Sequence, residues 1–270
     1  MKKRIERLCE ITHNKEVSSS YFRIGLKWET PWITPGQFVM LRVCDGLDPL
    51  LRRPLGIYNV INARGKERFK GTGVEFLYKV VGRGTRILSL KRPGESVDVL
   101  GPLGNGWPVV SGGRRKSIMV GGGMGIAPLY LLANRIKSGV LLFGGKGSAE
   151  AGLAKAFKGH RVRIATEDGS VGRKGFVTEL LMQEITPDAP EAIVYACGPA
   201  GMLKAVAALA EGCGIDCYVS LERSMACGIG VCLGCAVKSG AHAGEADKDY
   251  KMVCSDGPVF SSRAVDWETL

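Results

Sequence analysis

The sequence predicts a protein of mixed all-β and α/β class, with an N-terminal antiparallel β-barrel, a parallel-sheet domain and a small C-terminal cysteine-rich module. Three observations predict this order. The first hundred or so residues contain short apolar alternations, such as 37–43 and 74–81, separated by Gly and Pro, which is typical of small barrels. Apolar strands then alternate with helical patterns over about 100 residues, which is typical of a parallel sheet covered on both faces. Five of the nine cysteines follow in the last segment.

The composition is that of an ordinary globular protein. The chain has 270 residues, of which 45% are hydrophobic and 23% are charged, so it can bury a sizeable core. A chain of this length predicts two domains, or three if one is small. We place the domains at residues 1–110, 111–213 and 214–270, where the sequence pattern changes.

Patterns of membrane insertion and export are missing from the sequence. No apolar run approaches the roughly 18 residues of a membrane-spanning helix, and charges interrupt the start of the chain. We therefore expect a cytoplasmic protein. In that compartment the nine cysteines are more suited to metal binding or redox work than to disulfides.

Positive charge is distributed unevenly along the chain. The net charge of +11 is made up of +9 over residues 1–110, +5 over 111–212 and −3 over 213–270. No run of five basic residues occurs, and no aromatic residues alternate with basic ones as in proteins that stack bases. Small anionic cofactors are therefore a better interpretation of the basic regions than nucleic acid.

The barrel segment contains two motifs suited to a diphosphate. Arg52 and Arg53 precede Pro54, and an arginine can clamp a phosphate while a proline fixes the turn. The stretch 82–85 follows a predicted strand, and its backbone is placed to meet the other end of the same diphosphate. Alone, the arginine segment is equally well a solvated basic turn. Together with a nucleotide-binding sheet it indicates a flavin site.

The parallel sheet is predicted to begin with a strand at 117–120, a loop that includes Gly121, Gly123 and Gly125, and a helix at 126–137. Exposed N–H groups and the helix dipole at such a loop favour a pyrophosphate. The strict G-x-G-x-x-G fingerprint is not met, so a plain tight turn is an alternative. Further strands are predicted at 140–143, 161–165 and 193–196, and further helices at 149–157, 177–184 and 200–210.

A second loop strengthens the nucleotide interpretation. Cys197, Gly198 and Pro199 also lie where a strand gives way to a helix. Two loops at the same end of one parallel sheet form a crevice suited to a nicotinamide dinucleotide. No acidic residue follows the second strand to bind the ribose, but Glu167 and Asp168 follow the third, which favours NADH over NADPH weakly.

The cysteines of the last segment carry the most specific motif. Cys227, Cys232, Cys235 and Cys254 are spaced C-x4-C-x2-C-x18-C, the plant-type ferredoxin spacing in which four thiolates hold a 2Fe-2S cluster. The glycines between them let backbone N–H groups approach the sulfurs. A structural zinc site is an alternative, although zinc usually binds paired C-x2-C motifs and only one is present. Free buried cysteines are a third interpretation.

These sites together predict an order of electron transfer. A nicotinamide exchanges two electrons as a hydride, whereas a 2Fe-2S centre carries one electron at a time. A flavin between them accepts both kinds of step. No Ser-His-Asp or paired-carboxylate site is needed, so we expect no catalytic side chain.

The motifs resemble those of a known family over nearly the whole chain. The order R-P-x-x-I-Y, G-x-G-T, G-G-G-x-G-I-A-P and C-G-P-x-x-M is similar to that of the ferredoxin reductase superfamily. Residues 221–235, LERSMACGIGVCLGC, resemble one branch, the electron transfer subunits of dihydroorotate dehydrogenase B. The resemblance implies an FAD-binding barrel, a NAD-binding domain and a 2Fe-2S module. It also implies an FMN-containing dihydroorotate dehydrogenase catalytic subunit as partner in a heterotetramer, with electrons passing through FMN, cluster and FAD to NAD+ in pyrimidine biosynthesis.

The resemblance assigns cofactor contacts residue by residue. For FAD these are Arg53, Pro54, Leu55 and Gly56, then Leu77, Tyr78 and Lys79, then Gly84 and Thr85, and for the cluster they are the four cysteines. The family has Ser or Thr where this chain has Gly56, so a hydroxyl near the reactive edge of the flavin is missing. That departure puts the flavin potential in doubt rather than flavin binding.

Two other functions stay open. A reductase subunit of another complex, such as a ferredoxin:NADP oxidoreductase or a hydrogenase-associated diaphorase, shares the same modules. A non-enzymatic redox sensor or nucleic-acid-binding module is supported only by the charge of +14 over residues 1–212. Under the preferred interpretation, Ile229, Val231 and Leu233 near the cluster either contact the partner or pack inward.

Overall fold

The computed structural model describes residues 5–65, 68–109, 115–136, 138–185, 192–240 and 249–270. Within these residues no helix combines the length and the apolar character needed to cross a bilayer.

Seven antiparallel strands and one helix form the first domain. They are β1 (Ile5–Ser18), β2 (Tyr21–Lys27), β3 (Phe38–Arg42), β4 (Arg53–Gly56), β5 (Asn59–Ile61), β6 (Gly73–Lys79), α1 (Arg83–Leu90) and β7 (Ser96–Leu103). The strands are ordered β4-β3-β7-β1-β2-β6-β5. Because only Ile57 and Tyr58 separate the two edge strands along the chain, the sheet curls into a barrel. The stretch 82–85, which was expected to present its backbone to a diphosphate, contains the first turn of α1.

A parallel sheet with flanking helices forms the second domain. Its elements are β8 (Lys116–Gly122), α2 (Ala127–Ile136), β9 (Val140–Gly145), α3 (Ser148–Ala151), β10 (Arg161–Thr166), β11 (Arg173–Lys174), α4 (Val177–Met182), β12 (Ala192–Cys197), α5 (Ala200–Gly212) and β13 (Asp216–Ser220). Short 3-10 turns at Gly123–Ile126 and Gly152–Ala156 precede α2 and follow α3. The region expected to be helical at 149–157 is therefore one short helix continued by a 3-10 turn.

The cysteine-rich segment adds three short strands, β14 (Ala236–Lys238), β15 (Tyr250–Met252) and β16 (Val259–Ser261), and a 3-10 turn at Ser262–Ala264. The first two pair with each other, while β16 runs antiparallel to β13 at the edge of the parallel sheet. The full order of that sheet is β11-β10-β9-β8-β12-β13-β16. The predicted fold class, a barrel followed by a parallel sheet and a cysteine-rich segment, is confirmed.

The last segment is packed more closely onto the sheet than its sequence suggests. β13 lies after position 213, yet it pairs in parallel with β12 along its whole length. Cys235, Val237 and Cys254 share one hydrophobic core with the sheet and with Phe38 and Met40 of the barrel. The cysteine-rich segment therefore extends the second domain and also contacts the first.

Candidate functional site

Two glycine loops meet at the carboxyl edge of the parallel sheet, at the point where its strand order reverses between β8 and β12. Gly125 lies so close to the second loop that a Cβ there would be 2.0 Å from the carbonyl oxygen of Cys197. Gly198, at φ +158°, lies against the backbone of Gly122. This crevice is where open α/β sheets bind dinucleotides.

A cleft of about 620 Å³ opens above these loops. Of the sequence-predicted residues, Gly123, Gly125, Gly198 and Pro199 line it, whereas Gly121 and Cys197 lie beneath it. The cleft also contains Glu222. The volume of the cleft and the glycines of its floor fit a dinucleotide that is bound by backbone N–H groups of the protein.

Cys197 lies beneath the floor of the cleft and does not line the cleft itself. It is fully buried and its thiol is hydrogen-bonded to Ser220. Burial, with the nearby Glu222 carboxylate, raises the pKa of Cys197 well above its usual value. Glu222 itself is exposed at the wall of the cleft. Cys197 is therefore a neutral thiol beneath the cleft, whereas the charged side chains that line the cleft include Lys146, Glu167 and Glu222.

At one end of the cleft, two loops hydrogen-bond to each other. The Glu167 N–H donates to the Gly145 carbonyl at 3.0 Å, and the Asp168 N–H donates to the Lys146 carbonyl at 3.2 Å. Lys146 and Glu167 line the cleft, whereas Asp168 turns its carboxylate toward Gly147. Of the two acids that the sequence offered for the ribose, the structure thus brings only Glu167 into the cleft.

The flavin motifs of the barrel meet at the first turn of α1. The Arg53 guanidinium lies against Gly84, where a Cβ would be 2.2 Å from its Nε. Its recorded hydrogen bonds go to the carbonyls of Leu51 and Arg52. Within the described residues no carboxylate pairs with Arg53. A guanidinium beside a helix N-terminus, with no acidic partner among those residues, fits a diphosphate.

Arg52 has a different role from its neighbour. Its Nη2 donates to Asp98 Oδ2 at 2.7 Å, and it also pairs with Glu6. These acids lie on β7 and β1, so Arg52 joins strands of the barrel. The motif therefore supplies one structural arginine and one that remains available to a ligand.

The second flavin segment is divided by strand alternation. Tyr78 points into the barrel, stacks on Phe22 at 5.7 Å between ring centroids and donates to Asn14 Oδ1 at 3.0 Å. Burial raises the pKa of Tyr78 to about 12. The Tyr78 side chain is thus occupied, and only its backbone is free for a cofactor. Leu77 and Lys79 point the other way, toward the second domain. There Leu77 joins the hydrophobic core that contains Tyr58 and Met119.

Lys79 joins the barrel to the edge of the nucleotide cleft. Its ammonium lies 3.2 Å from Glu150 Oε1, and the Tyr21 hydroxyl donates to the same oxygen at 2.5 Å. The other oxygen of Glu150 accepts the N–H of Lys146 at 2.8 Å. Burial acts to raise the pKa of Glu150, but these three hydrogen bonds outweigh it and hold the pKa below its usual value.

Gly56 lies between the flavin strand and the dinucleotide domain. A Cβ there would lie 3.2 Å from Cγ of Pro128, near the start of α2. This close approach leaves little room for a larger side chain at the position where the family usually has Ser or Thr. The missing hydroxyl is thus accompanied by a tighter contact between the two domains.

Cys227, Cys232 and Cys235 lie in the loop between β13 and β14, and Cys254 joins them from the turn that follows β15. Amide N–H groups of Ile229 and Cys232 lie 3.4 Å from the sulfur of Cys227, and the Gly230 amide lies 3.1 Å from that of Cys254. The Cys254 amide lies 3.4 Å from Cys235 Sγ. Cys235 and Cys254 are buried, whereas Cys232 is exposed.

The surroundings of the cysteines shift the pKa values of two of these thiols in opposite directions. Burial opposes ionisation of Cys227, but the amides of Ile229 and Cys232 outweigh it and lower its pKa to about 6. Burial and the adjoining Cys235 thiol raise the pKa of Cys254 to about 12. Within the described residues no three His, Cys, Asp or Glu side chains are arranged around a single ion. The amide N–H groups that lie against the sulfurs of Cys227 and Cys254 are the donors that stabilise the thiolate ligands of a 2Fe-2S cluster, so these residues fit such a cluster.

Several of these residues could not have been selected from the sequence. Tyr21 and Glu150 are 129 positions apart, and neither belongs to a motif. Glu222 stands in the stretch LERSM, quoted for its likeness to a family, but nothing in the sequence placed it in the dinucleotide cleft. Glu222 lies two residues after the end of β13, so recognising that strand would have placed Glu222 at the edge of the sheet where ligands bind.

Comparison with protein families supports these assignments. A family model described as the iron-sulfur cluster binding domain of dihydroorotate dehydrogenase B matches residues 222–266, which include all four cysteines. A second, the oxidoreductase NAD-binding domain, matches residues 119–208. The first match favours the cluster over the zinc alternative.

Similar sequences cover nearly the whole chain. A protein of Caldanaerobacter subterraneus subsp. tengcongensis is 37% identical over 258 residues, covering 95% of this chain and 97% of its own. One of Geobacillus thermodenitrificans is 41% identical over 243 residues, covering 86% of each chain. Both are named electron transfer subunits of dihydroorotate dehydrogenase B (NAD+).

Solved structures show the same fold. The NADH-dependent reduced ferredoxin-NADP oxidoreductase, described for flavin-based electron bifurcation, is 29% identical with a TM-score of 0.80, over 97% of this chain and 91% of that chain. The ferredoxin reductase of carbazole 1,9a-dioxygenase is 20% identical with a TM-score of 0.65, over 78% of this chain and 67% of that chain.

Proposed function

The chain belongs to the family of dihydroorotate dehydrogenase B (NAD+) electron transfer subunits, and from this premise we propose that it carries electrons from a separate FMN-containing catalytic subunit to NAD+. It is an NAD-linked oxidoreductase subunit of pyrimidine biosynthesis that uses FAD and a 2Fe-2S cluster. The family expected from the sequence motifs is confirmed.

One observation carries the proposal: the three cofactor sites adjoin one another within a single chain. The cysteine loop shares a hydrophobic core with β3 of the barrel, β3 pairs with the flavin strand β4, and Gly56 of β4 touches α2 of the dinucleotide domain. Bound flavin accepts electrons singly or in pairs, which a cluster and a nicotinamide require. The chain's own residues bind and orient these groups and keep water from the space between them.

We assign the binding residues as follows. Arg53 and the first turn of α1, with Gly84 and Thr85, hold the FAD diphosphate, and the loops at Gly123–Gly125 and Gly198–Pro199 hold the dinucleotide. Lys79 anchors the edge of the flavin segment to Glu150. Cys227, Cys232, Cys235 and Cys254 ligate the cluster.

The exposed rim of the cysteine loop supplies the surface for the catalytic subunit. The three apolar candidates separate in the structure: Val231 and Leu233 are 74% and 63% exposed, whereas Ile229 packs against the core. Val231 and Leu233 flank the exposed ligand Cys232. Apolar residues around a partly exposed ligand exclude water once a partner covers them.

Mixing experiments test the proposal. The chain and the FMN-containing subunit together should oxidise dihydroorotate with NAD+, which neither does alone, and light scattering should give the mass of a heterotetramer. Val231→Glu combined with Leu233→Glu should raise the Kd of the complex by about 30-fold, as expected when central apolar contacts are lost. Leu90→Glu is the control, because Leu90 is 74% exposed but lies on α1 of the barrel.

A second candidate function rests on the structural match to the NADH-dependent reduced ferredoxin-NADP oxidoreductase, which covers 91% of that chain. In that case this chain would be the reductase subunit of a different complex. Formation of a complex with the partner of that enzyme, and none with the FMN-containing subunit, would establish this alternative and reject the proposal.

A further inference from the structure

The inner face of strand β3 packs in the barrel core, and its outer face is buried as well. Burial of both faces is unusual for a barrel strand. Val39 and Leu41 point into the barrel core, while Phe38 and Met40 point the other way into the core shared with the cysteine loop. Met40 is 0% exposed. Something must therefore cover it from outside the barrel.

The covering residue is Gly228, which directly follows the cluster ligand Cys227. A Cβ at Gly228 would lie 2.5 Å from Cγ of Met40, 3.1 Å from its Sδ and 3.3 Å from Cδ1 of Leu103. Gly228 also has φ +71°, a conformation that favours glycine. The loop thus rests its backbone directly on the Met40 side chain.

Met40 is also adjacent to the flavin strand. In the antiparallel pair of β3 and β4, Met40 stands opposite Pro54, the residue after Arg53. A continuous path therefore leads from Cys227 through Gly228 and the Met40 side chain to the backbone of Pro54. Each step is a covalent neighbour, a van der Waals contact or a strand pair.

We infer that the contact between Gly228 and Met40 sets the spacing of the cluster from the flavin strand, which makes both of them positioning residues for electron transfer inside the chain. This inference rests on the proposed function, because it requires both cofactors. The absence of a side chain at Gly228 brings the loop close, and the long thioether of Met40 fills the remaining gap.

The test compares two alanine substitutions in the same loop. Gly228→Ala introduces a Cβ that collides with Met40, whereas Gly230→Ala, at φ +86°, introduces similar backbone strain but meets only the Ser255 side chain, at 2.9 Å from its Oγ. Gly230→Ala therefore measures the effect of strain without a collision with the barrel. Met40→Ala, and Gly228→Ala combined with Met40→Ala, complete a double-mutant cycle.

Two quantities are measured on the purified, cofactor-loaded chain. The first is the rate at which iron is released on dilution, together with the iron and sulfide content and the EPR signal of the dithionite-reduced cluster. The second is the rate of cluster reduction by NADH per bound cluster, divided by the rate of dye reduction by NADH. A merely structural role would change the first quantity and leave the ratio unaffected.

We expect Gly228→Ala to release iron about 5- to 150-fold faster than Gly230→Ala, the range expected for overpacking. The ratio of cluster to dye reduction should fall in Gly228→Ala and recover in the double variant, because removing the thioether makes room for the new methyl group. Equal effects of the two glycine substitutions, an unchanged ratio, or strictly additive effects in the cycle would overturn the inference. A wild-type chain without iron and sulfide would instead overturn the proposed function.

Discussion

The Arg53 guanidinium rests on Gly84, so close that a Cβ at Gly84 would stand 2.2 Å from Nε of the arginine. The adjacent Arg52 is engaged with Asp98 at 2.7 Å. Two neighbouring arginines of one motif thus differ in their surroundings: one faces the first turn of a helix, and the other joins strands through an ion pair.

Arg53→Ala should lower FAD affinity by about 10- to 150-fold, since hydrogen bonds to charged groups are worth roughly 1.5–3 kcal/mol. Arg53→Lys should restore only part of it, because an ammonium lacks the planar fork of a guanidinium. Fluorescence titration of the deflavinated chain with FAD measures both.

Arg52→Ala is the matched control for this prediction. It should lower the thermal midpoint, because Asp98 loses its partner, while FAD affinity stays near that of the wild type. An equal loss of FAD affinity in the two variants would place the diphosphate elsewhere.

Gly84→Ala should weaken FAD binding without removing any charge. Alanine favours helix over glycine by about 1 kcal/mol, so α1 itself is not weakened, but the new methyl group must displace the Arg53 guanidinium. Gly82→Ala is the control, since a Cβ at Gly82 meets nothing within 4 Å. The same titration should show weaker binding in the first variant alone, and unchanged binding in both would contradict the placement of Arg53.

The sequence was most informative where function depends on residues close together in the chain. The cysteine spacing, the glycine loop after β8 and the Cys197–Pro199 turn are local patterns, and the structure brings each to a site edge. Strand alternation explains why Tyr78 was harder to interpret: a motif identifies a segment, but the side on which each side chain lies depends on the barrel that the segment joins. β13 was missed because its five residues are recognisable as a strand only beside β12.

Contacts between distant segments could not be read from patterns. Glu150 carries no motif, yet it receives hydrogen bonds from Tyr21 and Lys79 of the other domain. The glycines between the cysteines were predicted to let N–H groups approach the sulfurs, whereas the contact of Gly228 with Met40 depends on how the cysteine loop packs on the barrel. Such contacts arise only from tertiary packing, which the local patterns of one sequence do not reveal.

Glu150→Gln should destabilise the chain by about 1.5–3 kcal/mol at pH 7, because hydrogen bonds to a charged group are lost between the two domains. The folded pKa of Glu150 lies below its usual value of 4.5. The stabilisation is therefore fully present above pH 4.5 and is lost as the pH falls through the lowered folded value. Urea unfolding should show a smaller difference in the free energy of unfolding between the wild type and Glu150→Gln below pH 4.5 than at pH 7.

Glu268→Gln is the control for this pH dependence. Glu268 pairs with Lys204, but its side chain is 80% exposed, and exposed pairs contribute little. Its substitution should leave the unfolding curve nearly unchanged at both pH values. A loss that is as large in acid as at pH 7 in the Glu150 variant would mean that the carboxylate charge is not what holds the domains together.

Cys232→Ser should remove or destabilise the cluster while FAD and NADH-linked dye reduction persist, because hydride transfer to the flavin does not pass through the irons. Iron and acid-labile sulfide, at two of each per chain in the wild type by the stoichiometry of the cluster, are the measurement. Cys44 lies outside the cysteine loop, so Cys44→Ser should retain both the cluster and the flavin. Loss of flavin together with the cluster would show that the loop is required for the fold of the barrel.

The last prediction concerns the choice between NADH and NADPH, which the structure connects to Glu167. This residue directly follows β10 at the cleft, and its exposed carboxylate pairs with none of the described side chains. A carboxylate at this edge accepts hydrogen bonds from a ribose and repels a 2′-phosphate. Glu167→Gln should therefore lower kcat/KM for NADH by about 10-fold or more, the value of one hydrogen bond to a charged group, and raise the relative use of NADPH.

Asp168→Asn is the control, because the Asp168 carboxylate lies against Gly147 and accepts the Ser170 N–H at 2.8 Å. Steady-state dye reduction with each coenzyme measures the ratio. A ratio altered by Asp168→Asn and unaffected by Glu167→Gln would assign coenzyme selection to the loop after β10 as a whole, and not to the carboxylate that faces the cleft.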